Sequence, residues 1–346
     1  MNAPEMLLRL RRPQEDGLVL RLKTLTPLYT GGIGQLGDQI HPSNLLGGIR
    51  HMSCLVARTL GDAGFEKDVW GETGHAKQVG LKWDTAGLAL LNLPEMVKVP
   101  KATGGESKWY FNSAFEGELG LQVSRRGISD ARWQILMLAL AIQLRHGTFG
   151  AKDQFGLGIL TMAEGAKPFA IPLDASINLN EVVPPEAGRL NLLRYAFGRV
   201  RFSAAPGQRP IFSRAAALNL ALATRASLRN TLRAKPDAPE AEKNRLTALR
   251  HQMLGKLNQF GSAVNVSAAY PEGDGFELRL AIALKPTEAE VRTEVMKAFS
   301  NAADSIDSMI DHTGYRIAER KFAWEFGGKH LSDRATWINK LAGVQS

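Results

Sequence analysis

Between residues 18 and 162 the hydrophobic pattern changes period in one fixed order, and that order restricts the fold more than any other feature of the chain. Residues 18–26 alternate apolar and polar side chains, the two-residue period of a half-buried strand, and Pro27 ends the run. After a glycine-rich stretch at 31–37, a helical pattern begins with Ser43 as its expected N-cap and reaches Leu60. Strand character returns at 78–83 and at 88–91. Pro94, Pro100 and Gly104-Gly105 mark a long connection, after which residues 110–123 alternate through Phe111, Phe115, Leu119, Leu121 and Val123. Ser129-Asp130 opens a second helix through Arg145. Its uncharged run from Ile135 to Ile142 is far shorter than the ~20 residues of a membrane span, so it predicts a buried helix stripe. A second glycine loop, 147–158, leads into a short strand at 159–162. Strand, helix, two strands, helix, strand is a βαββαβ plan.

That plan predicts an α+β, ferredoxin-like (RRM-like) first module over residues 1–168. Residues 168–185 read as a proline-bearing linker with few charges. Beyond it, 190–202 is extended, 214–233 and 239–256 are helical with a break at Lys235-Pro236, 276–284 alternates as a strand, and 288–310 is helical. The element types recur without clear sequence periodicity. Residues 185–346 are therefore predicted to be a second, degenerate ferredoxin-like module with insertions and arginine-rich helices.

The chain carries 43 Lys+Arg against 34 Asp+Glu, a net charge of +9 that attracts phosphate backbones. Its single cysteine, Cys54, excludes an intramolecular disulfide or a thiolate metal cluster. Lying in the apolar run Cys54-Leu55-Val56-Ala57, it reads as a buried structural thiol. With no signal-like apolar stretch in the first 13 residues, a cytoplasmic location is expected. HExxH, a P-loop and a GxSxG elbow do not occur, and the histidines at 41, 51, 75, 146, 251, 312 and 330 are scattered. The expectation is no metal, no cofactor and no catalytic site. Asp38 and Asp153, both in glycine-rich loops, are the candidates for acid/base or metal-ligating work, against the plainer reading of solvated loop aspartates.

Binding residues are easier to nominate. In Thr30-Gly31-Gly32-Ile33-Gly34 the third glycine comes too early for a dinucleotide fingerprint, but bare backbone amides at Gly31 and Gly32 suit a phosphate. Ser43, Asn44, Arg50, His51 and Arg58 lie on the first helix, with Arg50 and Arg58 eight residues apart on much the same face. The loop from Gly147 to Gly158 combines glycines with Lys152 for a phosphate and Phe149 and Phe155 for stacking on a base, although either phenylalanine serves a core equally well. Arg225, Arg229 and Arg233 recur every four residues and predict a cationic helix stripe for a polyanion or an acidic partner.

Three segments, in order, resemble the RAMP superfamily of CRISPR effector subunits. Leu25-Thr26-Pro27-Leu28-Tyr29-Thr30-Gly31-Gly32 is similar to the family's opening strand and turn, and Pro42-Ser43-Asn44-Leu45-Leu46-Gly47-Gly48-Ile49-Arg50 to its helix start. Phe149-Gly150-Ala151-Lys152-Asp153-Gln154-Phe155-Gly156-Leu157-Gly158 is similar to its terminal glycine loop. The two-module length and the Gly31-Gly32 pair look most like the first RAMP subunit of the type III-B Cmr complex. Leu46, His51-Met52 and Asp153-Gln154-Phe155 depart from the basic and aromatic residues common at those places. The resemblance implies a non-catalytic RNA-binding subunit of an antiviral ribonucleoprotein complex, with CRISPR RNA, target nucleic acid and other effector subunits as partners. It also leaves a repeated backbone subunit of a type III or type IV complex, with RNase activity through Asp38, or a pure assembly subunit.

Overall fold

Strand β1 (Gly17–Thr24) buries Leu20 and Leu22 on one face and exposes Val19 and Arg21 on the other, as its alternation predicts. The structure is a computed structural model that describes residues 17–31, 38–92, 99–100, 106–107, 113–151, 156–165, 169, 190–204, 217–218, 221, 224–225, 229–230, 232–255, 262–283, 317–326 and 333–344. β1 lies between β6 (Ser113–Arg125) and β7 (Leu160–Met162), antiparallel to both. β2 (Val79–Asp84) and β3 (Leu88–Asn92) pair with successive stretches of β6, and two-residue strands β4 (Val99–Pro100) and β5 (Glu106–Ser107) pair with each other. The sheet order β2-β6-β1-β7, with α1 (Pro42–Leu60) after β1 and α2 (Asp130–His146) after β6, is the ferredoxin-like arrangement.

The helices start and stop for local reasons. α1 begins one residue before the expected cap: His41 is the N-cap, Pro42 sits where its missing N–H costs nothing, and Ser43 falls inside the first turn. Gly61, at φ 88°, ends α1, and the Asp62 N–H closes the turn on the Ala57 carbonyl at 2.9 Å. Ser129 caps α2, its Oγ accepting the Arg132 N–H. Arg132 then grips Asp62 through Nε (2.7 Å) and Nη2 (3.0 Å) and Asp68 through Nη1 (2.6 Å), tying α2 to the end of α1. α2 is buried on every side from Ile135 to Leu144, the mark of a helix covered by more than its own sheet.

The second sheet explains that cover. β8 (Tyr195–Ala204) lies between β11 (Gly275–Ala283) and β12 (Ile317–Phe326), while β9 (Val264–Val266) and β10 (Tyr270–Glu272) both pair with β11 as one interrupted strand. The order β10-β11-β8-β12 repeats that of the first sheet. One face, through Val200, Phe202, Leu278 and Leu280, packs against Leu249, Met253 and Leu254 of α3 (Glu240–Leu254). The opposite face turns Phe197, Arg199 and Arg279 towards α2. Strand β12 and helix α4 (Arg334–Ala342) were not foreseen, and α4 inserts Trp337, Ile338 and Leu341 into the core of the first module. The helix expected at 288–310 and the linker at 168–185 lie outside the described residues, apart from residue 169. Among the described residues, no helix is long and apolar enough to cross a membrane.

Candidate nucleic-acid interface

The chain leading into the first glycine turn meets the second glycine loop. The Ala151 N–H donates to the Tyr29 carbonyl at 2.7 Å and the Gly158 N–H to that of Pro27 at 2.9 Å. Gly150, at φ 84°, has no room for a side chain, since a Cβ would lie 2.4 Å from the Tyr29 oxygen. The Asn44 side chain donates to the Thr30 carbonyl, Thr30 Oγ1 accepts the His41 N–H at 2.8 Å, and Gln143 donates its amide to the Thr148 carbonyl. The start of α1 is thus held between both turns. Gly48 fits there because a Cβ would sit 3.0 Å from Gln143 Nε2.

The exposed face of α1's first turns carries Ser43, Asn44, Gly47, Arg50 and His51. No acidic residue occupies the first turn, so nothing within it opposes an anion approaching the helix N-terminus. Arg50 and Arg58 share one carboxylate, with Arg50 Nη2 3.1 Å and Arg58 Nη2 2.9 Å from opposite oxygens of Glu66. Burial raises the Glu66 pKa, but the hydrogen bond from Arg50 and the charge of Arg58 outweigh it and hold the group ionised. Two guanidiniums on one carboxylate leave a net positive charge beside the helix.

A cleft of about 270 Å³ opens next to this face, bounded by Gly47, Gly48 and His51 of α1, by Gly147, Thr148 and Gly150 of the second glycine loop, and by Tyr195 and Asn265 of the second sheet. His51 Nε2 lies 3.3 Å from the Tyr195 hydroxyl, bridging the modules. Burial pushes the Tyr195 pKa up to about 12, so the hydroxyl keeps its proton. Burial and then Arg58 lower the His51 pKa against the opposing pull of Glu66. His51 is thus shifted towards its neutral, hydrogen-bonding form.

The floor of the cleft is a closed polar network. Arg279, 8% exposed, donates to the Leu144 carbonyl (2.6 Å) and to the Tyr270 hydroxyl (2.7 Å). Arg199 donates to the Arg145 carbonyl (2.7 Å) and pairs with Glu277 (3.2 Å), which also accepts from Tyr270. Both arginines therefore cap carbonyls at the C-terminus of α2, where the helix dipole favours cations. His146 stacks on Phe197 with centroids 4.9 Å apart and donates Nε2–H to the Leu341 carbonyl. Burial, reinforced by Arg199, Arg145 and Arg279, pushes its pKa down to about 3.

Other nominated residues fare differently. Phe149 is a correction: 1% exposed and edge-on to Trp83 at 6.3 Å, it belongs to the core and cannot stack on a base. The arginine stripe is a second correction. Arg225 turns inward to donate to the Val264 carbonyl at 2.8 Å, and Arg233 lies past the helical residues, which leaves Arg229 and Arg233 exposed. Arg250 of α3, which the sequence did not single out, lies close enough to both for their charges to lower its pKa after burial. Gly32, Lys152, Asp153 and Phe155 lie outside the described residues. Asp38 is exposed, with no hydrogen-bond partner among the described residues. Cys54 is buried, and burial pushes its pKa up to about 11. Among the described residues, no group of three or more His, Cys, Asp or Glu side chains could hold a metal ion.

Tyr195, Asn265 and Arg279 escaped sequence reading because they reach the cleft only when the modules dock. Two ferredoxin-like sheets framing a glycine-walled cleft define a tandem scaffold. No family model and no curated protein matches the chain. Among solved structures it is similar to the crystal structure of apo Cmr1 from Pyrococcus furiosus, at 13% identity over 90% of this chain and 98% of that one, with a TM-score of 0.45. It is also similar to a chain of the type III-B Cmr-beta complex solved by cryo-EM with cognate target RNA, AMPPnP and ssDNA, at 10% identity over 83% of this chain and 99% of that one, with a TM-score of 0.48.

Proposed function

We propose that this protein is an RNA-binding subunit of the RAMP class, part of a CRISPR ribonucleoprotein effector, holding guide RNA by its phosphates and helping to capture target nucleic acid. One observation supports it most. The first two segments that resemble the family lie about 100 residues before the third, yet the chain brings them together through Tyr29 to Ala151, Thr30 to Asn44 and Gly48 to Thr148. An uncapped helix N-terminus and the Arg50–Arg58 pair on α1 then lie beside the cleft walled by Gly47, Gly48 and the second glycine loop, a combination suited to a phosphodiester chain.

Fluorescence anisotropy of a labelled single-stranded RNA across a salt series tests the reading. Arg50→Ala is expected to weaken binding equally on all sequences and to reduce the salt slope by about 1. Glu66→Gln, which releases both guanidiniums from their shared carboxylate, is expected to tighten binding. A slope unaffected by either change refutes the proposal.

A further inference from the structure

Gly47 stands at an exposed, helical position in α1, and a Cβ built there would meet nothing within 4 Å. Alanine is the better helix former at such a place, and neither backbone geometry nor packing asks for glycine. Gly48 differs, because Gln143 and the Thr148 carbonyl press on it. What remains at Gly47 is close approach by something outside the fold. The space above it is the inter-module cleft, whose volume of about 270 Å³ falls just under the ~300 Å³ lower end of small-molecule pockets. The guanidinium of Arg279, 8% exposed, has Nε and Nη1 engaged by Tyr270 and Leu144, and burial lowers the pKa of both His146 and His51. A phosphate finds no exposed guanidinium among the described lining residues. A flat, uncharged group with hydrogen-bonding edges does find partners. With Nε2 engaged by Tyr195, His51 still has Nδ1 as a second polar edge, and Thr148 and Asn265 line the same wall.

We propose that this cleft takes one unpaired nucleobase of the bound RNA, laid flat on the bare backbone at Gly47, with its edge against the polar wall of His51, Thr148 and Asn265. The inference rests on the RNA-binding reading above and adds to it a site that senses the base. Phosphates then run along the outer face of α1 while one base turns inward. Such a site gives affinity for base-bearing strands with little sequence preference.

The test compares two probes of equal length in the same anisotropy assay: oligouridylate and a fully abasic ribose-phosphate strand that keeps every charge. Wild-type protein is expected to prefer the base-bearing strand by roughly 10-fold, with equal salt slopes for the two probes. Gly47→Ala is expected to bring that ratio close to one while leaving the melting temperature unchanged or raised, which separates a blocked cleft from a damaged fold. His51→Ala is expected to lower the ratio in part. A wild-type ratio of one, or a ratio that Gly47→Ala leaves intact, overturns the base pocket while the RNA-binding reading stands. Absence of binding to either probe at low salt overturns both.

Discussion

Replacing Arg279 with methionine removes the buried cation that locks the second sheet onto α2. The variant keeps the length and much of the apolar volume of the side chain but deletes the bonds to Tyr270 and to the Leu144 carbonyl. Two costs follow. The Leu144 carbonyl at the end of α2 loses the Arg279 donor, and so does the Tyr270 hydroxyl, which links Arg279 to Glu277. Breaking one member of a buried charge network costs about 3–5 kcal/mol, against well under 1 kcal/mol for an exposed pair such as Arg21–Glu118. Urea unfolding followed by far-UV circular dichroism is therefore expected to show a loss of about 3–5 kcal/mol in Arg279→Met with the slope m unchanged. Glu277→Gln added to Arg279→Met is expected to cost less than the sum of the two single changes, by at least about 1 kcal/mol, because both groups act on the same Tyr270 hydroxyl. A loss below about 1 kcal/mol, or strict additivity, refutes the view that this network couples the modules.

Three further outcomes follow from the same geometry. With its pKa raised to about 11, the Cys54 thiol is expected to stay unreactive to Ellman's reagent at pH 8 in the native protein and to react stoichiometrically in denaturant. His146 stays neutral in the native state down to about pH 3, whereas in the unfolded chain it takes a proton near its ordinary value. Stability is thus full above about pH 6.5 and is lost as pH falls between about 6.5 and 3, and a pH series of urea midpoints is expected to lose part of that slope in His146→Gln. Gly74→Ala, at φ 86° in open space, is expected to cost about 1 kcal/mol by thermal unfolding, while Gly158→Ala, where a Cβ would lie 1.9 Å from the Phe149 carbonyl oxygen, is expected to cost more than about 3 kcal/mol.

The first module was legible because its signals are local. The alternation of β1 and the caps of α2 act within a few residues, and the order of elements left one sheet topology. Strand β12 and helix α4 were missed for a physical reason: α4 is a nine-residue helix whose burial is supplied by α2, far away in sequence. The same cause governs the site. Phe149 reads equally well as core or platform until Trp83 packs against it, and Arg225 reads as part of a stripe until β9 offers it a carbonyl. His51 reads as a cation until its burial, and then Arg58, shift it towards the neutral form. Sequence placed the glycine turns and the start of α1 among the binding residues, but the meeting of α1 and the second glycine loop at one cleft is a property of the docked modules.

Ultraviolet cross-linking of a bound single-stranded RNA, with the attached peptides located by mass spectrometry, tests the central claim most directly. The account predicts adducts clustered on residues 27–31, 42–51 and 147–158, with Tyr195 or Asn265 opposite them. Adducts confined instead to the open face of the first sheet, around Val19, Lys82 and Gln122, would contradict it.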